Sequence, residues 1–592
     1  MIDRLRFGRQ KSARADTRLS LGQKVSRLGN RLKDPAWRRY FYTVAAGKFL
    51  GVAILLFAIT LVFPSILSKT VFAQDSQPST QPATQPAAAA AAPDPYALAK
   101  GGDIINPLNT VWTLIAAFLV FCMQAGFTML EAGFCRSRET VNVLVECVFD
   151  TCLCGLLYYA FGYAFMFGQG NGLIGWHDPN DTTVVHSWFF LQNITATTLY
   201  GASGVPVLAH WVFQFAFADC ASTICSGTMI GRTDFIGDIL YSIGVSGFIY
   251  PIIGHWAWGP DGFLANMGQS ATTNAFTHFL PNFGMNFHDF AGSTVVHSIG
   301  GWIALAGGIM LGPRLGRKFK RDGGGPMLPH DLVMGVIGGF LLWFGWYGFN
   351  PGSSLSAMDF GGIGRIACNT TLAACTGGMA AIFLIYFRVG KWDAGAITNG
   401  FLAGLVAITC PCYWVSPTGA CILGAIAGII VILGVDLLEY VRIDDPIGAW
   451  PVHGLCGIWG TLSLGLFASG QYSAAGSSPT GVPVIDPASN PALTGLFYGG
   501  GMKVFIAQCI GSGIICAATF AVAMAVFFAL NLVGRLRLSK EGELEGMDIH
   551  EHGMPAYPEY VISALAAPAG MSDDLVNYSS KMKKEEFATS EK

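Results

Sequence analysis

Charge is what this chain has least of. Only 12% of its 592 residues are Asp, Glu, Lys or Arg, and 35 basic against 37 acidic residues leave a formal net charge of −2. Those charges gather at the two ends and in a few connecting stretches, and there is no basic domain, so nothing supports nucleic-acid binding. Lysine and arginine are absent altogether from 169–207, 259–287 and 471–501. The 15 cysteines sit almost entirely inside apolar runs (Cys152, Cys154, Cys220, Cys225, Cys410, Cys412 and Cys456 among them), which argues for small buried hydrophobes and against a disulfide framework. Cys410-Pro411-Cys412 has the form of a redox or metal pair, but it ends an apolar run and no partner set lies nearby.

Apolar residues and glycine are what the chain has in excess. Mean hydropathy is +0.47 and there are 75 glycines. Long apolar runs rich in small residues mark an all-α polytopic membrane protein. Eleven runs are long enough to cross a bilayer: 110–134, 145–168, 208–231, 236–258, 288–311, 330–350, 360–387, 395–413, 417–437, 449–470 and 502–533. Ahead of them, residues 1–43 hold twelve Lys or Arg, and an apolar run from Phe49 to Phe63 leads to Thr70-Val71-Phe72-Ala73. This reads as a signal peptide with a long basic region, cleaved after Ala73; an uncleaved anchor helix is the alternative. Residues 74–96, with Thr-Gln-Pro-Ala-Thr-Gln-Pro, cannot bury a core and read as a disordered linker. The expected boundaries are therefore 1–73 for the leader, 74–108 for the linker, 109–533 for the membrane domain and 534–592 for a polar tail.

The connections alternate in charge. Against the three stretches that lack Lys and Arg stand those with Arg136 and Arg138, Arg232, Arg314 to Arg321, Arg388 and Lys391, and Arg442. The positive-inside rule puts the start of the first span outside and the C-terminus in the cytoplasm, as an odd number of spans behind an exported N-terminus requires.

Two histidines interrupt the apolar pattern. His297 follows Asp289-Phe290-Ala291-Gly292-Ser293-Thr294-Val295-Val296, and His453 sits in Trp450-Pro451-Val452-His453-Gly454. An ionisable residue inside a bilayer is costly, so each reads either as a hydrogen-bonded structural histidine or as part of a pathway, and the pair beside small residues favours the pathway. Asp289 lies roughly 12 Å before His297 along a helix, too far to orient it, and suits a helix N-cap. The histidines fall on spans five and ten, which fits two inverted five-helix halves plus a final helix, with a site where the halves meet.

The stretch from Asp289 to His297 with Gly300, Gly301 and Arg314 resembles the signature of the ammonium transporter (Amt/Mep/Rh) family. Trp346-Tyr347-Gly348-Phe349-Asn350-Pro351-Gly352-Ser353, Thr398 to Thr409, and Asp444-Asp445-Pro446 leading to Val452-His453-Gly454 are similar to three further family motifs, in the family's order. The resemblance runs from about Asn109 to Tyr560. It implies ammonium or ammonia uptake through a homotrimer in a bacterial inner membrane, with one pore per subunit, no enzymatic reaction and no cofactor or metal. It also implies roles for particular residues. Phe217 and Phe349 would form a stacked gate. Trp258, Ser353, Phe217 and the acidic Asp289 would belong to outer recruitment, and His297, His453 and Trp346 would line the pore. Cation–π attraction and a hydroxyl can hold ammonium at the mouth, whereas a bare cation pays heavily to enter a dry pore, so deprotonation before passage would select ammonium over potassium.

Some positions depart from the family. Asp219 lies mid-span, about 200° around the helix from Phe217, and reads either as a packing residue toward a neighbouring helix or as altered proton handling. Gly448 stands where some relatives carry an acid, and the 259–287 loop is long. The tail sequence Gly546-Met547-Asp548 to His552-Gly553 to Ala556-Tyr557 looks like the family's cytoplasmic tail, which couples subunits and, in bacterial members, lies where a PII-type regulatory protein docks. A solvated tail with two histidines for weak metal binding is the plainer reading, and residues 570–592 read as disordered. Two rival functions remain open: an ammonium sensor signalling through the tail, though no kinase or cyclase domain follows, and a redox protein with haem on the paired histidines.

Overall fold

The computed structural model describes residues 101–179, 186–201, 203–267, 285–473 and 492–558. The expected leader with its cleavage site, most of the linker, and 570–592 lie outside the described residues.

The described chain is a bundle of long apolar helices. They are α1 (Gly101–Phe121), α2 (Met123–Phe134), α3 (Thr140–Leu157), the short α4 (Tyr163–Phe167), α5 (Val207–Ser226), α6 (Phe235–Gly244), α7 (Tyr250–Trp258), α8 (Ile299–Leu311), α9 (Leu332–Gly352), α10 (Phe360–Val389), α11 (Ala394–Thr409), α12 (Pro417–Val441), α13 (Cys456–Phe467) and α14 (Lys503–Leu532). α1 begins at Gly101, eight residues earlier than the linker boundary expected from composition, and carries Asp103 in its first turn, where it complements the helix dipole. Short polar residues start the helices as N-caps: Asp234 accepts from the backbone of Ile236 and Gly237, Asp331 from Met334, Asp359 from Gly362, Asp393 from Ala396 and Ser416 from Gly419.

Among the described residues, nine helical stretches have the length and hydropathy to cross a membrane. The runs expected at 395–413 and 449–470 do not qualify on those terms. α11 has 16 residues and gives way at Cys410-Pro411, because proline cannot continue the ladder. The second continues without a break from a π-helical turn, Trp450–Leu455, into the 12-residue α13, and Pro451 and His453 in that turn lower its hydropathy.

α10 lies against its neighbours in sequence, α11 and α12, whereas α9 packs on α1 and α2, and α8 on α14, from distant parts of the chain. Small two-stranded antiparallel ribbons, Gln169–Gly170 with Gly175–His177, Leu199–Tyr200 with Val205–Pro206 and Ser469–Ser473 with Ala492–Thr494, lie in the connections that lack Lys and Arg.

The opposite connections, rich in Arg, carry the tail. Two short helices, α15 (Lys540–Glu545) and α16 (Met547–His550), fold back on them. Arg138 Nη1 donates to the Leu544 carbonyl at 2.8 Å, the Asn142 amide to Asp548 Oδ1 at 3.0 Å, and the Leu315 amide to Glu543 Oε1 at 2.6 Å. His330 Nε2 meets the Tyr557 hydroxyl at 2.8 Å. The tail is thus a docked element and not a solvated strand as far as residue 558.

Candidate functional site

Both histidines stand on π-helical turns, His297 on Ser293–Ser298 and His453 on Trp450–Leu455. Such turns wind the backbone wide, leave carbonyls without their usual partners and recur at functional positions. Each turn is started the same way. Asp289 accepts four backbone N–H groups, from Gly292, Ser293, Thr294 and Val295, at 2.8–3.0 Å. Asp445 accepts three, from Gly448, Ala449 and Trp450, at 3.0 Å. In both turns the aspartate precedes the histidine by eight residues and a glycine follows it by three. Those glycines, Gly292 (φ +111°) and Gly448 (φ +81°), take left-handed backbone that a side chain would strain. This is why a glycine occupies position 448.

The two turns also pack reciprocally. A Cβ on Gly301, four residues after His297, would meet the Gly454 backbone nitrogen at 2.3 Å; one on Gly457, four residues after His453, would meet the Ser293 carbonyl oxygen at 2.3 Å and Ser298 Oγ at 2.4 Å. Backbone therefore rests directly on backbone, and the two imidazoles face one another. His297 Nδ1 and His453 Nδ1 are 3.3 Å apart. That is a hydrogen bond, and it is shorter than the roughly 4 Å that two nitrogens on opposite sides of a metal ion require. The haem reading has no geometric support.

Rings continue from this pair. His297 stacks on Trp346 (centroids 5.1 Å, 25°) and on Phe349 (5.3 Å, 23°), and Phe349 stacks on Phe217 (4.0 Å, 24°). Phe217 meets Trp258 edge-on at 6.3 Å, and Phe127 lies 6.4 Å from His453. Trp346 is held by its Nε1 donating to Thr409 Oγ1 at 2.9 Å, and Trp258 by its Nε1 donating to the Asp289 carbonyl at 2.8 Å. Beyond Phe217 a cavity of about 150 Å³ is lined by Trp258, Ser353, Phe213, Gln214 and His210 among others. A second, of about 130 Å³, is lined by Arg314, Arg317, Asn399, Asp445 and Gly448 at the start of the His453 turn.

The candidate residues Phe217, Trp258, Ser353, Phe349, Trp346, His297 and His453 thus come together. Asp289 does not line the outer cavity; its oxygens are committed to backbone, and it acts through the position of the turn. Sequence reasoning missed two residues. Asp445 is the counterpart of Asp289, and the repeated Asp-to-His interval of eight was the available signal. His210 is fully buried, stacks on Tyr200 at 3.6 Å and bonds the Tyr163 hydroxyl through Nδ1 at 2.9 Å. It lies seven residues before Phe217, hence on the same helix face. Asp219 is wholly buried with its carboxyl beside Thr151 and Cys154 of α3, as expected of a residue facing a neighbouring helix.

Residues 111–557 match the model of the Ammonium Transporter Family. The chain belongs to the ammonium transporter family. It is 41% identical over 468 residues to the ammonium transporter Amt2 of Archaeoglobus fulgidus, covering 78% of this chain and 91% of that one. It is 35% identical over 466 residues to ammonium transporter 1 member 3 of Solanum lycopersicum, covering 77% and 94%. Among solved structures it resembles one described as a sensor Amt protein, with TM-score 0.62 and 33% identity over 76% of this chain and 99% of that chain. It also resembles Candida albicans Mep2, with TM-score 0.63 and 25% identity over 77% and 94%. The ammonium transporter family places the 111–557 bundle in a membrane, and the family's curated relatives are named for transport and not for a reaction.

Proposed function

We propose that this ammonium transporter family member takes up ammonium across a bacterial inner membrane along the file from Trp258 to His453, with no chemical transformation other than proton transfer. The observation that carries the reading is the unbroken succession of stacked rings, Phe217 on Phe349 on His297, with His297 bonded to His453. Ammonium in the outer cavity meets the faces of Trp258 and Phe217 and the Ser353 hydroxyl. The gate of Phe217 and Phe349 offers a charged ion no hydrogen bonds, so the ion gives up a proton before neutral ammonia passes. The imidazole pair then supplies donors and acceptors inside an otherwise apolar path, with Trp346 as its wall.

The same reading takes α11 and the Trp450–Phe467 segment as crossings, giving eleven in two inverted halves plus α14. It sets domains at 1–73, 74–108, 109–533 and 534–592, with the mature N-terminus outside and the Arg-rich face and tail in the cytoplasm. It also includes assembly as a homotrimer and docking of a PII-type regulator at that face.

An ammonium pulse on proteoliposomes tests it. A transient current with ammonium and none with potassium, lost in His297→Ala, is the expected result; no current and no internal pH change on the pulse would overturn it. The likeness to a structure described as a sensor favours a second reading, binding of ammonium with signalling through the tail and little flux. That reading predicts ammonium-dependent change in tail protection in the same vesicles without flux.

A further inference from the structure

Away from the ring file, three acids converge inside the bundle. Glu146 and Asp150 lie one turn apart on α3 and Asp238 lies in the first turn of α6, all buried; one carboxylate oxygen from each falls within 4.8 Å of the others. Oxygens sharing a calcium, manganese or magnesium ion at about 2.1–2.5 Å stand no more than roughly 4–5 Å apart, so the spacing suits one ion. Among the described residues no Lys or Arg is paired with any of the three.

A second observation points into the same spot. Ser242, one turn after Asp238 on α6, is fully buried, and its hydroxyl makes no hydrogen bond of ordinary length and lies beside Asp150. Both Asp238 oxygens and Asp150 Oδ1 are likewise buried without a partner. Three carboxylates brought together in a medium of low dielectric need neutralising charge, from a bound cation or from protons, and the hydroxyl beside Asp150 adds an oxygen donor for a cation. Oxygen donors alone, with no nitrogen or sulfur, select a hard ion.

We propose that Glu146, Asp150, Asp238 and Ser242 form a binding site for one hard divalent cation, of the magnesium, calcium or manganese class, beneath the docked tail. Asn142 connects the two: its Nδ2 donates to Glu146 Oε2 at 3.2 Å while its Oδ1 meets Nε2 of the tail's His552 at 2.9 Å. The site uses no residue of the ring file and does not depend on what the file conducts.

The test uses full-length protein in detergent, stripped with chelator and titrated with manganese, the free ion being followed by electron paramagnetic resonance. One manganese per subunit, displaced by magnesium or calcium, is expected. Asp238→Asn and Asp150→Asn should each weaken it at least tenfold at unchanged helical content, and Glu541→Gln on the exposed tail surface should leave it unchanged. Wild-type binding no greater than that of the Asp150→Asn, Asp238→Asn double variant would overturn the site. So would protonated-carboxyl infrared bands, missing from the Asp150→Asn, Asp238→Asn variant, that saturating manganese leaves in place in the wild type, because protons would then supply the neutralising charge. Should the variants not fold, manganese anomalous scattering from wild-type crystals decides: a peak among the three carboxylates supports the site, and peaks only elsewhere remove it.

Discussion

His297 and His453 meet through like atoms, Nδ1 to Nδ1 at 3.3 Å. Only one of those nitrogens can carry the proton, so the neutral pair holds complementary tautomers: the ring that donates has a bare Nε2 and the ring that accepts has its proton on Nε2. The arrangement stores one proton position between two helices and can be inverted by passing a proton along the pair.

Replacing either ring breaks that complementarity and leaves the other buried without its partner, a cost of about 1–3 kcal/mol. His297→Ala and His453→Ala should each reduce ammonium-driven current by roughly 10-fold or more on that scale. The double variant should fall little further, because the pair acts as one unit. Current per reconstituted subunit measures this, and additive losses would show that the rings act separately.

Asp289 and Asp445 should behave as structural caps. Asp289→Ala removes acceptors for four N–H groups and Asp445→Ala for three. Loss of a cap costs about 0.5–2 kcal/mol, so both variants should melt earlier, Asp289→Ala by more. Asparagine, which keeps one acceptor oxygen, should recover part of the loss in each case. Thermal unfolding in detergent checks the order.

Gly301 and Gly457 should tolerate nothing larger. Gly301→Val would drive a side chain into the backbone at Gly454 and separate the two turns, an overpacking strain of about 1–3 kcal/mol. Lower yield and lost ammonium current are expected together. A Gly301→Val variant with wild-type melting and current would show that the close approach is dispensable.

Arg314 and Asp444 form a buried, two-pronged pair, Nε to Oδ2 at 2.8 Å and Nη2 to Oδ1 at 3.0 Å. Burial alone would raise the Asp444 carboxyl, but Arg314 and Arg232 beside it hold it well below the usual carboxylate range. A depressed carboxylate contributes stability that is complete above its ordinary value near 3.9 and is lost only as pH falls further toward the folded value. Stability should therefore be flat in this respect from neutral pH down to about 4. Asp444→Asn should cost about 3–5 kcal/mol at neutral pH by leaving a buried guanidinium unpaired. Melting profiles across pH give both numbers.

The tail should respond to acid through His552, whose imidazole burial against Asn142 and Phe235 holds below its ordinary value. Such a group contributes docking stability that is complete above its ordinary pKa of about 6.5 and declines as pH falls below it. Asp548, raised by burial, works in the opposite sense, so Asp548→Asn isolates the histidine. Hydrogen-exchange protection at 547–552 in that variant, taken relative to the intrinsic exchange rate at each pH, should fall between pH 7.5 and 5.5, and His552→Gln should abolish the change.

Much of this protein could be read without coordinates. Apolar runs longer than a bilayer is thick must be buried in lipid or in each other, so hydropathy alone marks the helices, and the stretches without Lys and Arg mark one face. The ordered motifs around His297, Phe349 and His453 were enough to identify the family. Helix ends were less legible. Pro411 cuts one expected span short, because proline interrupts the backbone ladder whatever the composition of the run, and the π turn at Trp450 leaves no mark in hydropathy.

What only the tertiary structure decided is which groups meet. Residues 156 positions apart, His297 and His453, are bonded because Gly301 and Gly457 let two backbones touch. The convergence of Glu146 and Asp150, one turn apart on α3, with Asp238 of α6 has no trace in local sequence. Sequence sets what each segment must bury; the packing of one helix on another sets which polar groups are buried together, and so where the chemistry can be.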